Sequence, residues 1–277
     1  MPAPHQSLLQ TADRIPLFVS DSPIEQPSTK RRGVVLMHGL GEHSGRYAHV
    51  VRFFNDCGWS VRSFDHRGHG RSGGAPGDIP DAEAMLRDAK LVIDDFALQL
   101  AAPPLLFGHS MGGLFAARFA TATLSPLRGL ILSSPGLALR LSKPQKLLLK
   151  ILHAAAPGLA IPNGLETRYL SHDQTIIDAY ESDPLVHPKI SARLLTGMLD
   201  AIEFTQTHAP ALAIPTLMLV AGDDHLVDPQ GSRVFFSRLV PGIGTMHLYP
   251  ALYHEIFNEL DARLVFDNTR TWLDQLQ

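Results

Sequence analysis

The clearest indication of the fold is the segment Leu105-Leu106-Phe107-Gly108-His109-Ser110-Met111-Gly112-Gly113-Leu114. Its opening residues are apolar and predict a buried strand over 105–107, and a helical pattern begins at Gly112. The pattern Gly-x-Ser-x-Gly lies between them, which is the structural context that this motif requires when its serine is a nucleophile. The same pentapeptide can occur by chance in a glycine-containing turn, but the flanking strand and helix favour a nucleophile at Ser110.

The spacing of the glycines has a physical reason. A serine in this turn adopts a strained backbone conformation, so that its hydroxyl projects above the edge of the sheet. Gly108 and Gly112 carry no Cβ atom and therefore let the strand and the helix approach closely. The start of the helix then places the backbone N–H of Met111 where a developing oxyanion would be stabilised, with help from the helix dipole.

Apolar runs that predict strands alternate along the chain with patterns that predict helices, which indicates an α/β fold with a mainly parallel central sheet flanked by helices. The other predicted strands cover residues 33–37, 60–64, 130–133, 216–220 and 245–249. The predicted helices cover residues 47–55, 82–99, 112–123, 229–239 and 256 to the C-terminus. Residues 7–11 and 15–19 are expected to pair as an antiparallel hairpin at the edge of the sheet.

Residues 137–208 interrupt this alternation, because they contain helical runs broken by prolines and no buried-strand pattern. We interpret this region as a helical cap inserted after the sixth strand, and not as an independent domain. The predicted core therefore has two parts, residues 1–136 and residues 209–277, with the cap between them.

The composition disfavours several classes of protein. A net charge of −3 and a pI near 6.5 give no electrostatic reason to expect nucleic-acid binding. A single cysteine, Cys57, cannot form a disulfide framework and is interpreted as a buried structural thiol. Residues 1–7 lack the pattern of a secretion signal, and no apolar stretch approaches the ~20 residues that a membrane span needs. We therefore expect a cytoplasmic protein.

A second glycine-bearing loop follows the first buried strand. It reads Met37-His38-Gly39-Leu40-Gly41-Glu42-His43-Ser44-Gly45-Arg46-Tyr47. In the fold that a Gly-x-Ser-x-Gly turn indicates, a loop at this position donates the second backbone N–H to the oxyanion. We assign that role to the amide of Leu40, so that Leu40 and Met111 form the predicted oxyanion hole.

This loop resembles the signature of monoacylglycerol lipases and related bacterial lysophospholipases, a family of α/β-hydrolases of the serine aminopeptidase S33 type. Similar segments are Phe-Asp-His-Arg-Gly-His-Gly-Arg-Ser at 64–72, Gly-His-Ser-Met-Gly-Gly at 108–113 and, inside the cap, Tyr-Glu-Ser-Asp-Pro-Leu-Val at 180–186. The resemblance spans nearly the whole chain. It implies the α/β-hydrolase fold and a carboxylesterase that acts, without a cofactor, on glycerol or glycerophospho esters of a single fatty acyl chain.

Histidines are concentrated in two of these loops, at His38, His43, His66 and His69. Clustered histidines can hold a metal, but these lack the helical i, i+4 spacing of a metalloprotease motif. The resemblance implies structural and oxyanion-loop roles for both segments, so no metal site is predicted. Asp65, at a strand end, is interpreted as a hydrogen-bond acceptor that organises its loop.

The acid of a Ser-His-Asp triad is expected next along the chain, just after the strand at 216–220. Asp223, Asp224 and Asp228 lie there. Asp228 precedes Pro229 at the start of a predicted helix and is better explained as an N-cap. The residues alone leave Asp223 and Asp224 open, and the resemblance, in which the acid precedes x-Leu-x-Asp, implies Asp224.

The base is expected after the strand at 245–249. His254 lies there, in a Tyr-His-Glu segment that resembles the catalytic histidine segment of the family, whereas His247 lies within the strand and would face the sheet. In the predicted mechanism His254 takes the proton of Ser110 as the serine attacks an ester carbonyl. Asp224 orients the imidazole and stabilises its charged form.

A predicted helix in the cap carries lysines on one face and apolar residues on another. The lysines are Lys143, Lys146 and Lys150, and the apolar residues are Leu148, Ile151 and Leu152. One interpretation is a lid whose apolar side closes an acyl-binding tunnel while the lysines face solvent. The other adds contact with an anionic membrane surface, which would make the protein peripheral to membranes.

The predicted activity is hydrolysis of monoacylglycerols to a fatty acid and glycerol through an acyl-enzyme. Open alternatives are a lysophospholipase, a small-ester esterase and a peptidase resembling proline iminopeptidase, which would use cap carboxylates to bind an amine. Such carboxylates are present at Glu166, Asp173, Asp178, Glu181, Asp183, Asp200 and Glu203. A binding module without activity is a further alternative, which the complete triad disfavours.

Overall fold

The alternating pattern of the chain forms an eight-stranded sheet in the computed structural model, which describes residues 4–25 and 31–276. The strands are β1 (His5–Gln10), β2 (Pro16–Ser22), β3 (Gly33–Met37), β4 (Ser60–Phe64), β5 (Leu105–His109), β6 (Gly129–Ser133), β7 (Ala160–Pro162), β8 (Lys189–Ser191), β9 (Thr216–Ala221) and β10 (Gly244–Tyr249). The helices are α1 (Ala48–Asp56), α2 (Ala84–Ala97), α3 (Ser110–Thr121), α4 (Lys143–Ala155), α5 (Gln174–Ser182), α6 (Ala192–His208), α7 (Pro229–Ser237) and α8 (Arg263–Gln275).

The main sheet has the strand order β1-β2-β4-β3-β5-β6-β9-β10. The β1–β2 hairpin is antiparallel and occupies one edge, as predicted, and β2 also runs antiparallel to β4. All other neighbours in this sheet are parallel. Every residue of β3, β5 and β6 is buried, because separate hydrophobic clusters cover the two faces of the sheet. The prediction of an α/β-hydrolase fold is confirmed.

This topology brings the loops that follow β3, β5, β9 and β10 to one end of the sheet. The carboxyl ends of parallel strands lie at the same edge, which is where ligands bind in open α/β sheets. The predicted oxyanion loop, nucleophile, acid and base each follow one of those strands. Residues that are far apart in the sequence are therefore adjacent in space.

The segment between β6 and β9 is mostly helical but also contains a two-stranded antiparallel ribbon of β7 and β8. The expectation of helical runs without strands is wrong at this point. Both strands are short, and β7 ends at Pro162 with no buried residue, so the sequence carries no alternation that would indicate them. Helix α6 packs along α3 of the core. The division of the chain at 137 and 209 into core and cap stays a prediction.

The C-terminal helix begins at Arg263 and not at the predicted residue 256. Residues 255–259 instead make turns whose backbone groups have other partners. The Glu255 N–H donates to the carbonyl of Leu170 in the cap at 2.8 Å, and the Asn258 N–H donates to the Glu255 carbonyl at 2.7 Å. The first of these bonds ties the loop after β10 to the cap, and both compete with an earlier start of the helix.

The Cys57 thiol is only half-buried, where full burial was predicted, and its partial burial raises its pKa.

Within residues 4–25 and 31–276, none of the helices combines the length and the apolar character that crossing a bilayer would require.

Candidate active site

Ser110 is the first residue of α3 and has a backbone φ of 54°. This left-handed conformation is strained for a residue with a Cβ atom, and the surrounding structure must hold it in place. The neighbouring glycines explain how that is done. A Cβ atom at Gly108 would lie 2.5 Å from the Gly112 carbonyl oxygen, and a Cβ atom at Gly112 would lie 2.4 Å from the carbonyl oxygens of Met37 and His38. Only glycine lets α3 pack this closely on β5 and β3.

The structure brings Ser110, His254 and Asp224 together in one chain of hydrogen bonds. The Nε2 atom of His254 lies 2.8 Å from the Ser110 Oγ, and its Nδ1 lies 2.7 Å from Asp224 Oδ2. The other carboxylate oxygen of Asp224 accepts the backbone N–H groups of Leu226 at 2.9 Å and Val227 at 3.0 Å. Both acid and imidazole are buried, so each is fixed in orientation.

The two other candidate acids lie elsewhere. Asp223 is exposed and pairs with His225 at 3.0 Å. Asp228 caps α7 by accepting the Gln230 N–H at 3.1 Å, and the prediction that it is an N-cap is confirmed. Of the aspartates in this loop, Asp224 is therefore the one within hydrogen-bond distance of His254.

Burial and charge act in opposite directions on His254. Burial of the imidazole by itself lowers its pKa, but the adjacent Asp224 carboxylate, with smaller contributions from Glu255 and Glu42, outweighs burial and raises the pKa of His254 above its ordinary value. For Asp224 the directions are reversed. Burial of the carboxylate raises its pKa, but the charge and hydrogen bond of His254 bring that pKa below the ordinary value. Asp224 is therefore ionised at neutral pH, and the imidazole has a strengthened affinity for a proton.

The pH dependence of activity should follow from this raised pKa. A base must be unprotonated to accept the serine proton, so activity should fall as the pH drops through the pKa of His254. Because that pKa is raised, the midpoint of the acid limb of kcat/KM should lie above 6.5, the ordinary value for histidine. The measurement is a pH profile of kcat/KM with a soluble ester. A midpoint below that value would show that Asp224 does not control the imidazole in this way.

The residues predicted to donate to the oxyanion, Leu40 and Met111, lie close to Ser110. Leu40, Met111, Ser110 and His254 all line one cavity. A Cβ atom at Gly39 would lie 3.3 Å from the Ser110 Cβ, which shows how closely the loop after β3 approaches the serine. Met111 is the second residue of α3, where a backbone N–H has no partner within the helix. The arrangement therefore offers two backbone positions next to the reacting atom.

A buried carboxylate that the motif analysis did not single out fixes this loop. Glu42 Oε1 accepts the Gly39 N–H at 2.6 Å and the Tyr47 hydroxyl at 2.5 Å. Arg46 pairs with the other oxygen of Glu42 and also donates to both oxygens of Glu255, at 2.6 and 2.8 Å. The i, i+4 spacing of Glu42 and Arg46 was no sequence signal for that pair, because it indicates contact only on an α-helix and Glu42 lies before the short 3-10 helix Ser44–Tyr47. Nothing local indicated that Arg46 would reach Glu255, which follows His254 directly.

The clustered histidines hold backbone in place. The Nε2 of His38 accepts the His66 N–H at 2.9 Å, and the His66 Nε2–H donates back to the His38 carbonyl at 3.1 Å. Burial lowers the pKa of both imidazoles and lowers the pKa of His69 to about 3. These rings are therefore neutral and structural. Within the described part of the chain, no group of three or more metal-ligating side chains has a geometry that could hold an ion.

Asp65 organises its loop, as predicted. Its carboxylate accepts the N–H and the hydroxyl of Ser44, at 2.8 and 2.6 Å, and the N–H of Arg71 at 2.9 Å. These bonds connect the loop after β4 to the oxyanion loop. Asp65 is thus occupied with backbone and hydroxyl donors, and it does not contact His254.

The cavity at Ser110 has a volume of about 320 Å³ and lies between core and cap. Most of its wall is apolar and comprises Leu139, Leu141, Leu165, Ile190, Leu195 and Met198. Polar side chains also line it, at Arg140, Gln145, Glu166 and His225. A mostly apolar cavity that ends at a serine suits an extended hydrocarbon chain, since burial contributes about 0.8 kcal/mol per CH₂ group.

The cap helix α4 does not close this cavity with the side chains that were predicted to do so. Leu148 and Ile151 are 53% and 55% exposed, Leu152 is half-buried, and none of the three lines the cavity, so the expectation that this face closes a tunnel is wrong. Helix α4 begins with a capping box between Ser142 and Gln145, and Leu149 is its one buried residue. The helix therefore packs through Leu149 and turns the predicted apolar face to solvent. Helix α4 is amphipathic, as its periodicity predicts, but periodicity does not determine which face of a helix points inward.

The cap is attached to the oxyanion loop by polar contacts. The His43 Nε2 lies 2.9 Å from Asp183, and the His187 N–H donates to the Gly41 carbonyl at 2.8 Å. The guanidinium of Arg46 lies 4.7 Å from the ring centre of Tyr180 in α5. Asp183 and Tyr180 belong to the cap motif singled out in the sequence, and these contacts give that motif an anchoring position.

Known proteins are similar to this chain over most of its length. A family model described as serine aminopeptidase, S33, matches residues 28–261. A monoacylglycerol lipase of Mycolicibacterium smegmatis is 33% identical over 252 residues, covering 89% of this chain and 90% of that protein. The phospholipase YtpA of Bacillus subtilis is 33% identical over 246 residues, covering 87% of this chain and 95% of that protein. The crystal structure of a Paleococcus ferrophilus monoacylglycerol lipase superposes with a TM-score of 0.85 at 32% identity, covering 94% of this chain and 99% of that one.

Proposed function

This chain belongs to the serine aminopeptidase, S33, family of hydrolases, and we propose that it is a serine carboxylesterase that hydrolyses monoacylglycerols to a free fatty acid and glycerol. Its fold and its relatives make it a hydrolase of carboxylic esters. The proposal of a monoacylglycerol hydrolase depends on one observation: the hydrogen-bond chain from Ser110 through His254 to Asp224 lies at the wall of an apolar cavity.

The proposed mechanism passes through an acyl-enzyme. Ser110 attacks the ester carbonyl while His254 accepts its proton, and Asp224 stabilises the resulting imidazolium. The amides of Leu40 and Met111 stabilise the tetrahedral oxyanion, each donor contributing roughly 3–4 kcal/mol in comparable sites. His254 then returns the proton to the leaving alcohol, and water attacks the acyl-enzyme by the reverse sequence. The strained φ of Ser110 supports this role, because the hydroxyl is presented without rearrangement.

The cavity favours one acyl chain with a small polar alcohol. Its apolar wall suits the chain, and the polar side chains that also line it suit the alcohol. The monoacylglycerol lipase of Mycolicibacterium smegmatis supports the neutral glycerol ester as substrate. The phospholipase of Bacillus subtilis supports the alternative, a lysophospholipid with the same single chain.

A peptidase is less well supported. It would need a carboxylate at the cavity to bind the substrate amine. Of the cap carboxylates named from the sequence, Glu166 alone lines the cavity as far as the structure describes the chain. Glu166 is exposed and pairs with Arg168, which offsets its charge.

A substrate panel tests the proposal. We expect turnover of 1-monoacylglycerols of several chain lengths to exceed that of lysophosphatidylcholine, with no cleavage of proline naphthylamide, and the Ser110→Ala variant serves as the blank. A higher kcat/KM for lysophosphatidylcholine would transfer the assignment to the phospholipid. Cleavage of the amide alone would refute a carboxylesterase.

We also propose that α4 rests on anionic membrane surfaces and collects lipid there. Leu147, Leu148 and Ile151 are 62%, 53% and 55% exposed. Lys143, Lys146 and Lys150 are exposed on the same short helix. An apolar surface bordered by lysines is the pattern of an interfacial helix, which inserts its apolar face and attracts acidic head groups.

Replacing Leu148 and Ile151 together with serine should reduce binding to vesicles that contain anionic lipid by at least about tenfold, since each leucine-sized side chain contributes about 1.5–3 kcal/mol when buried. The measurement is vesicle co-sedimentation. The matched control is Leu98→Ser. Leu98 is an exposed leucine (86%) at the end of α2, outside the cap. Equal binding by the double variant and the wild type would contradict membrane docking, and so would an equal loss in the control.

A further inference from the structure

A buried carboxylate outside the triad, Glu259, lies in the loop between β10 and α8. Its side chain is only 1% exposed. Glu259 Oε1 accepts the backbone N–H of Tyr253 at 2.6 Å and pairs with the His172 Nδ1 at 2.8 Å. Its Oε2 accepts the backbone N–H of His172 at 3.0 Å and lies 3.4 Å from the Ser171 hydroxyl. One carboxylate thus receives donors from the residue before His254 and from the cap.

The cap residues that it contacts belong to a strip, residues 169–172, that lies against the catalytic loops. The carbonyls of Tyr169 and Leu170 accept the N–H groups of His254 and Glu255, at 3.4 and 2.8 Å. The strip also stacks its rings on both loops. The His172 ring lies 3.6 Å from that of Tyr253, and the Tyr169 ring lies 4.1 Å from that of His225, the residue after Asp224.

The burial of the Glu259 carboxylate must be compensated by its hydrogen bonds. Removing a carboxylate from water is costly unless strong hydrogen bonds replace the lost hydration. Glu259 accepts backbone N–H groups from both segments, and hydrogen bonds to a charged acceptor are stronger than those to a neutral one. Without it, the partly buried amides of Tyr253 and His172 would lose their acceptor, and the strip would be attached to the loop only by the bonds of Tyr169, Leu170 and Ser171.

We infer that Glu259 is a positioning residue, which fixes the loop carrying His254 against the cap strip so that the imidazole faces both Ser110 and Asp224. This inference rests on the proposed function. If Glu259 has this role, the cap contains two kinds of segment. The strip at 169–172 is fixed to the loop that carries His254, whereas helix α4 faces outward.

The test compares Glu259→Ala and Glu259→Gln with the wild type. Kinetic constants are measured with a short soluble ester, together with the rate at which an alkyl fluorophosphonate labels Ser110. We expect kcat and the labelling rate of Glu259→Ala to fall about 30- to 100-fold with KM changed less than about threefold, because a displacement of about 1 Å can cost this much. Glutamine keeps one acceptor oxygen and should restore a large part of the rate. Glu203→Gln, an exposed glutamate of α6, is the matched control and should match the wild type.

A purely structural role would lower the melting temperature and leave kcat unchanged well below it. An unchanged kcat in folded Glu259→Ala would therefore overturn the inference. If that variant does not fold, His172→Phe carries the test, because it keeps the stacking on Tyr253 and removes the hydrogen bond to Glu259. It should lower kcat, and an unchanged kcat would again overturn the inference. A wild type that neither labels nor hydrolyses esters would instead refute the proposed function.

Discussion

Ester hydrolysis by a Ser110→Ala variant is expected to fall by about 10⁵- to 10⁶-fold, since loss of the nucleophile of a comparable triad has an effect of that size. The fold should be retained, because alanine meets the same backbone geometry as serine at a φ of 54° and fits the same space. Labelling by a fluorophosphonate should disappear with the activity. The measurement is kcat/KM with a soluble ester, combined with circular dichroism of the purified variant.

Ser134→Ala is the control for this variant. Ser134 is a buried serine with a φ of 40°, so it shares the unusual backbone conformation of Ser110. Its hydroxyl accepts the Ala221 N–H at 3.4 Å and does not belong to the triad. We expect the control to stay within about threefold of wild-type activity, in line with the loss of one long hydrogen bond. Retention of full activity by Ser110→Ala would refute the nucleophile outright.

Asp224→Asn should have the second-largest effect, a loss of about 10⁴-fold in kcat, because an asparagine holds the imidazole in the wrong tautomer. It should also move the acid limb of the pH profile to lower pH. Asp224 is the main cause of the raised pKa of His254, so its neutralisation should bring that pKa down. The measurement is kcat across the pH range with a soluble ester.

Asp223→Asn provides the comparison, since Asp223 is adjacent in sequence, exposed and paired with His225. It should retain activity within about twofold, as surface substitutions usually do. The reverse ranking of the two variants would mean that the acid is Asp223. Equal, small losses in both would mean that His254 acts without a carboxylate partner.

The central strands of the main sheet, such as 33–37 and 216–220, were predictable because they are nearly continuous apolar runs, which burial on both faces explains. The elbow at Ser110 was predictable because glycine is the only residue that fits at 108 and 112. Asp224 was distinguished from Asp223 only by the resemblance to a family. The residues alone do not determine which of two adjacent carboxylates points inward.

What the sequence did not indicate depends on contacts between distant segments. Glu255 and Glu259 are ordinary glutamates in the sequence, and their partners Arg46 and His172 lie far away along the chain, so that only the folded structure brings them together. The exposure of Leu148 and Ile151 also depends on tertiary packing and was not predictable from the sequence. Periodicity predicts an apolar face, but the side to which it turns is decided by how Leu149 packs.

Competitive labelling of the nucleophile distinguishes a monoacylglycerol hydrolase acting through Ser110 from every alternative above. The protein is treated with an alkyl fluorophosphonate in the presence and absence of a 1-monoacylglycerol, and the adduct is located by peptide mapping. We expect a single adduct, on Ser110, that forms more slowly as the monoacylglycerol concentration rises. An adduct on another residue, or a labelling rate that monoacylglycerol does not change up to its solubility limit, would contradict the proposed function.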